Sequence, residues 1–567
     1  MAKVTMTHTR HILEYHLWIQ VFSTMLAIAA LSSASEAKTL RVPDDHRTIQ
    51  LAIDAADAGD TILVNAGTYK ERIQLRRQIT VRSEGDDTKG KLGLLRAERT
   101  IIDCSNGEES MPGATMAEGS VLDGFTITGV GTYDEALWNK HHATHGNNQS
   151  HEHIGAPGTA GISSEGFNCV IAHNIVHHIG YTGIAISGHS EREGVAQVTS
   201  NVCHRNMGGG IGIMKNAKAH IEGNTCFQNF YAGIGHDNAS PVVMYNVCYE
   251  NVRAGIGISE GSCPIVKHNR CYRNRRAGIG TRTNPETRPL IEDNDCYEND
   301  MAGIGTDEEA SPVIRGNRCY RNKMAGIGVR QHSHAMLIGN ECYENEMSGI
   351  GQESNAVTTL IGNHCHHNKK SGLGFAACDN GRSLVVNNTV SDNALVAAGI
   401  NAGWTVTFSK NKFSRTAGMP PLIMIFGGAD VTLSENSIKG GGVSGIRVAG
   451  KVRMIGNRLE GNGLRKTGPP NFAVWGLPHA EITMLENSVS SWRHALHATE
   501  SAVHATGSEV RDFHQAAFAI VRPPSTPVIC GNKAYSTDTT ARILTGFDSE
   551  VIAFDNSLIQ STATPEE

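Results

Sequence analysis

The sequence predicts an all-β fold: a single-stranded right-handed parallel β-helix with 22–25 residues per coil, closed by a short N-terminal capping helix. Three observations predict it. First, Cys203, Cys226, Cys248, Cys271, Cys296, Cys319, Cys342 and Cys365 recur at intervals of 23, 22, 23, 25, 23, 23 and 23 residues. Second, the frame Asn-x-Cys-Tyr-x-Asn-x-x-Ala-Gly-Ile-Gly surrounds them and is complete from Asn246 to Gly257. Third, the apolar residues come in near-alternating pieces of two or three, the mark of short strands rather than helices. Helical solenoids need about 33–47 residues per unit, and the frames of leucine-rich repeats and calcium-binding β-rolls do not occur. A unit this small cannot bury its own apolar face, so the coils must stack. Stacking 16–20 coils at ~4.8 Å gives a rod of about 80–95 Å with one core, not the three or four domains that length alone suggests.

The elements follow in chain order. Residues 1–37 read as a secretory leader, with Lys3 and Arg10 ahead of an apolar run from Leu17 to Leu31 and a small-residue cleavage site at Ser35-Glu36-Ala37. An uncleaved anchor is the alternative. No other apolar stretch reaches the ~18 residues a span needs, so the expectation is a secreted, periplasmic or cell-surface protein with no membrane span after cleavage. Residues 38–80 hold the cap and first coil: a helix-like stretch from Thr48 to Ala56, then apolar pieces at Gly59 to Val64 and Ala66 to Glu71. Residues 81–560 are the solenoid, with regular coils over 200–375, a His-rich insertion over 130–160, and a tail at 561–567.

Weaker coils extend the frame in both directions. Asn174 precedes Val176 as Asn388, Asn411, Asn436 and Asn457 precede Val390, Phe413, Ile438 and Leu459. Apolar residues thus replace Cys in its own column, which makes that column an inward hydrophobic ladder. Disulfides between neighbouring coils and a thiolate metal ladder are the alternatives. Beyond about residue 400 the frame degrades.

Composition bounds the function. Glycine stands at 62 of 567 residues, well above the usual ~7%, without the three-residue period of collagen. A net charge of −6 offers no basic field for nucleic acid. Charges alternate in sign from coil to coil in four columns: Arg270, Asp295, Arg318, Glu341; Glu250, Arg273, Glu298, Arg321, Glu344; Arg275, Asp300, Lys323, Glu346, Lys369; and Arg282, Asp307, Arg330, Glu353. Stacked opposite charges attract and cancel each other's field, which argues against a polyanion groove in the middle coils. Eight Gly-[Ile/Leu]-Gly triplets, from Gly210 to Gly374, put Ile or Leu inward and leave the flanking glycines outward. Such a bare strip is either a platform for a sugar chain or another chain segment, or a tight bend where side chains would clash. Tyr249, Tyr272, Tyr297, Tyr320 and Tyr343 form a separate aromatic column.

The frame does not account for the insertion, which carries Tyr133, Asp134, Trp138, Lys140, His141, His142, His145, His151 and His153. Long loops on a rigid solenoid are where binding residues concentrate. Three roles compete. His141, His142, His145, His151 and His153 suit a divalent metal such as calcium, zinc or copper, imidazole favouring the latter two. Tyr133, Asp134 and His178 suit proton transfer on a glycan, with Trp138 and Lys140 binding it. The third role is a mobile polar loop. His236-Asp237, directly after Gly235, is a second candidate for substrate binding.

These repeats resemble the right-handed parallel β-helix, or pectin-lyase-like, superfamily, over residues 39–560 and most strongly over 160–460. The segment from Thr48 to Glu71 is similar to the cap and first coil of pectin methylesterases and of the periplasmic β-helix family that assists nitrous oxide reductase maturation. The resemblance implies a carbohydrate-active protein, a lyase, hydrolase or epimerase with a polysaccharide or envelope glycan as partner. Two other expectations stand beside it: a non-catalytic envelope scaffold, and a metal-handling accessory protein. Gly233-Ile234-Gly235-His236 looks like the Gly-His-Gly turn of polygalacturonases, but their Asn-Thr-Asp and Arg-Ile-Lys motifs, the Gln-Asp-Thr-Leu motif of pectin methylesterases and the Asp-Pro-His motif of mannuronan epimerases do not occur.

Overall fold

The computed structural model describes residues 37–87, 90–108, 110–149, 158–546 and 551–560. The leader-like segment before residue 37, His151, His153 and the tail from residue 561 lie outside these residues. Three parallel sheets of 21, 20 and 19 strands run the length of the rod. This is slightly more coils than the repeat count predicts, because coils with degraded sequence still form at both ends. The three faces of the middle coils are typified by Val247–Tyr249, Ile256–Ser259 and Ile265–Lys267, here called the Cys, Gly and third faces. Strands pair with zero offset, Cys248 opposite Cys271 and Gly257 opposite Gly280. A single cluster of buried apolar residues runs from Val42 to Ala541, one core with no division into domains.

Each element has a local cause. The N-terminal helix is Ile49–Ala55; Thr48 caps it by accepting from the Leu51 amide, and Ile49, Ala52 and Ile53 are buried. The Glu71 carboxylate accepts from the Ile49 and Gln50 amides at 2.9 Å each, which ties helix to first coil. Two asparagines turn each coil. Asn251 donates through Nδ2 to Asn274 Oδ1 at 3.0 Å and to the Cys226 carbonyl at 3.1 Å, while its own Oδ1 accepts from Asn229. The parallel ladder through Asn246, Asn269 and Asn294 repeats this and continues past residue 400 through Asn411, Asn436, Asn457 and Asn487. These amides are fully buried and satisfied, so they hold the bends without an unpaired polar group.

The four charge columns stack as their spacing predicts. Arg318 grips Asp295 with two bonds of 2.7 and 2.8 Å, Arg273 meets Glu298 at 2.9 Å, Lys369 meets Glu346 at 2.6 Å and Arg330 meets Glu353 at 2.8 Å. The second column, Glu250 to Glu344, sits at left-handed φ of 52–55°, where the chain turns from the Cys face to the Gly face. All 13 cysteines are free thiols, and the eight of the repeat form a buried ladder. Burial pushes the thiols of Cys203, Cys248, Cys271 and Cys296 well above their usual value, which disfavours thiolates at those rungs.

Candidate binding cleft

The two glycines of each triplet face different surroundings. A Cβ on Gly278 would lie 2.7 Å from the Gly303 carbonyl oxygen, 2.8 Å from Asn299 Nδ2 and 3.1 Å from Cys296 Cβ, so this glycine is a steric requirement of stacking. A Cβ on Gly280 would meet only Ala254 Cβ, at 3.9 Å, and one on Gly235 would meet nothing within 4 Å. The same openness holds at Gly257, Gly305 and Gly328, where the nearest atom is an Ala Cβ at 3.5–3.7 Å. The bend explanation therefore covers the first column and not the second.

The second column, in register from Gly212 to Gly399, is the floor of a cleft. Ala185 precedes it; Met424, Arg447 and Trp475 follow in the same register and fill the strip at its far end. The cleft has a volume of about 820 Å³. One rim stacks Tyr231, Arg253, Arg276, Met301, Met324, Met347, Lys370 and Leu395, each amide bonded to the carbonyl of the residue above. The other rim carries Asp237, Ser259, Arg282, Asp307, Arg330 and Glu353.

The rims differ electrostatically. Signs alternate along the second, where Arg330 bridges Asp307 at 3.9 Å and Glu353 at 2.8 Å. Along the first, Arg253 and Arg276 stack with like charge. Burial, then Arg253 and Arg282, hold the Arg276 guanidinium down to about 10, and burial lowers Arg253 as well. The expectation that the alternating columns stack and cancel holds for those columns. The rim at the second residue after each Asn stands outside them and stacks two cations, Arg253 buried and Arg276 half-buried. Its signal was in the repeat, at the first variable position before Ala-Gly-Ile-Gly.

The predicted site residues do not assemble at this cleft. The insertion contains a helix, Glu135–His142, capped by Asp134, whose carboxylate accepts from the Leu137 amide at 2.9 Å. Trp138 is only 3% exposed, packs with Met207, Phe230 and Val252, donates to the Gln228 carbonyl at 2.8 Å and lies beneath the Arg205 guanidinium. It anchors the helix and presents no face to a ligand. Lys140 is exposed on that helix and outside the cleft lining.

Tyr133 and His178 do meet, edge to face at 4.6 Å, among His177 and His204 on the Cys face. Burial holds His177 down to about 4 and His204 to about 3, and pushes the Tyr133 phenol above its usual range. Asp134, next to Tyr133, uses its carboxylate to cap the helix. The loop histidines diverge. His141 packs on Phe230, His142 stacks on Trp138 and receives Arg275, and His145 bonds Asp300. Among the described residues no metal cluster forms from them. The described part of the insertion, through residue 149, is docked on the coils. His236 points into the core between Ile213 and Ile258, 3% exposed, with Nδ1 donating to the Gly257 carbonyl at 2.8 Å. It is therefore unavailable for substrate. Asp237 is exposed on the cleft rim.

The model of the right-handed β-helix region matches residues 136–288, 280–413 and 356–512. The chain belongs to the right-handed β-helix family. Solved structures resemble the chain at low identity. The periplasmic alginate epimerase AlgG is 14% identical with a TM-score of 0.33, covering 66% of this chain and 76% of its own. The Dettilon tailspike protein is 13% identical with a TM-score of 0.38, covering 65% and 66%. Pectate lyase Pel9A is 15% identical with a TM-score of 0.26, covering 70% and 79%. No curated protein sequence matches the chain. No helix among the described residues is long and apolar enough to cross a membrane.

Proposed function

We propose that this β-helix protein binds an extended acidic polysaccharide, of the uronate class, along the Gly face. The observation that carries the reading is the bare floor. The fold has room for side chains at Gly235, Gly257, Gly280, Gly305 and Gly328 and carries none. Glycine within a strand costs roughly 0.5–1 kcal/mol relative to alanine, so five such residues in register need a reason beyond stacking. A polymer lying on the strip supplies one.

The lining fits a sugar chain better than a peptide. The floor strands already spend their N–H and C=O groups on neighbouring coils, so an added peptide strand finds no open edge to pair with. Tyr231 and the stacked Met301, Met324 and Met347 give the apolar surface that sugar ring faces use, and Arg253 and Arg276 offer charge-assisted bonds to carboxylates. The leader-like residues 1–37 support a secreted, periplasmic or cell-surface location.

Titration of the full-length protein with polymannuronate, polygalacturonate and a neutral glucan tests this. The expected result is tight binding of the acidic chains, weak binding of the glucan, and loss of binding in Gly257→Phe at unchanged thermal stability. Equal affinity for all three, or an unaffected Gly257→Phe, refutes the reading. Parallel assays for unsaturated products, new reducing ends and changed epimer ratio separate an enzyme from a scaffold.

A further inference from the structure

At the C-terminal end of the tyrosine column the residue type changes. Phe227, Tyr249, Tyr272, Tyr297, Tyr320 and Tyr343 stack ring on ring at 4.9–5.0 Å, and the next rung carries His366, parallel to Tyr343 at 5.1 Å. On the same strand, His364–His366, the residue two positions earlier is also a histidine, so both rings leave the same face. Glu341 lies directly opposite His364 on the neighbouring strand. The geometry points to a transition-metal site of the two-histidine, one-carboxylate type formed by Glu341, His364 and His366.

The distances fit such an ion. His366 Nε2 lies 3.3 Å and His364 Nδ1 3.9 Å from Glu341 Oε1, and the ligand atoms of all three residues fall within 4.8 Å of one another. A tetrahedral zinc with bonds of about 2.1 Å separates its donors by about 3.4 Å, so a small side-chain rotation closes the set. The site is half-buried, which leaves a coordination position toward solvent.

Neighbouring groups orient the ligands. The ring of His366 is fixed by its stack on Tyr343 and by the 2.8 Å contact of its Nδ1 with His367 Nδ1, which turns Nε2 toward Glu341. Arg318, the cation above Glu341 in its column, is committed to Asp295 by two bonds, and the Glu341 carboxylate turns to the two imidazoles instead. Alternation of charge accounts for a cation at position 364. It does not account for His366, in a column that holds tyrosine in five preceding coils.

The donor set favours zinc, copper or nickel over calcium or magnesium, which prefer all-oxygen sites. Calorimetric titration of chelator-treated full-length protein with zinc chloride, and the visible spectrum with cobalt(II), test the assignment. We expect one zinc per chain bound far more tightly than the remaining histidines bind it, and a tetrahedral cobalt spectrum. His366→Tyr restores the residue of the preceding coils, so the fold is kept while a ligand is lost; it and Glu341→Gln should each weaken zinc at least 10-fold. The triple variant of His141, His142 and His145 to Ala should leave the tight site unchanged. No stoichiometric binding, or a tight site indifferent to His366→Tyr and Glu341→Gln, overturns the proposal.

Discussion

Gly278 and Gly280 stand two residues apart on one strand, and the structure assigns them opposite responses to the same methyl group. In Gly280→Ala the new Cβ makes ordinary contact with Ala254 Cβ at 3.9 Å, and the backbone there is not left-handed. The variant removes conformational freedom from the unfolded chain and should gain about 0.4–1 kcal/mol. In Gly278→Ala the Cβ lies 2.7 Å from the Gly303 oxygen and 2.8 Å from Asn299 Nδ2. Relieving that overlap costs about 1–3 kcal/mol, and displacing the Asn299 amide from its ladder costs about 1–3 more. The two variants should differ by roughly 2–7 kcal/mol with Gly280→Ala the more stable. Urea unfolding measures the midpoints. Hydrogen exchange of the Ile279 amide, bonded to the Gly303 carbonyl at 3.0 Å, reads the local effect where a long repeat array departs from two-state unfolding. If Gly280→Ala lowers stability by 1 kcal/mol or more, the second glycine column is a folding requirement and the case for a ligand floor fails.

The other predictions concern the rim, the thiols and pH. Arg276→Gln should weaken acidic polymer about 10- to 100-fold, the value of one or two charge-assisted bonds, and flatten the salt dependence of binding measured by titration; Arg282→Gln, on the alternating rim, should do less. Thiol titration should detect 13 thiols in unfolded, unreduced protein, and in the native protein only Cys263, the exposed one, should react at once; fewer than 13 would mean disulfides. His236 and His494 are buried and held down to about 4 from 6.5, by desolvation first. The unfolded state takes up protons below pH 6.5 while the folded state does not, so stability is fully present above that pH and lost as pH falls toward about 4, by up to about 1.4 kcal/mol per pH unit for each histidine. Chemical denaturation between pH 7.5 and 4.5 should give a shallower loss for His236→Ile, which matches Ile213 and Ile258 on either side, and an equal slope would refute the assignment.

Much of the fold was legible because a solenoid repeats its own solution. Eight copies of Asn-x-Cys-x-x-Asn in one frame fix coil length, inward column and bends, and the sign of each stacked charge follows from the register. Coils beyond residue 400 were harder to read because a ladder needs only its asparagine and an apolar inward residue, and Asn411, Asn436, Asn457 and Asn487 supply those on otherwise altered coils. The insertion was less legible for a different reason. A clustering of histidines over residues 141–153 says nothing of direction, and the helix Glu135–His142 sends its side chains to separate partners on different coils.

The sequence by itself therefore determined the architecture: stacked coils, an inward thiol ladder, two asparagine ladders and self-cancelling charge columns. Each is a nearest-neighbour property, written once per coil. The tertiary structure alone decided which glycine is forced by contact and which is left bare, since both look alike in the repeat and differ only in what lies across the gap. It alone showed that the side chains of Glu341, His364 and His366 converge, because the repeat puts one coil next to another and does not say where a side chain points.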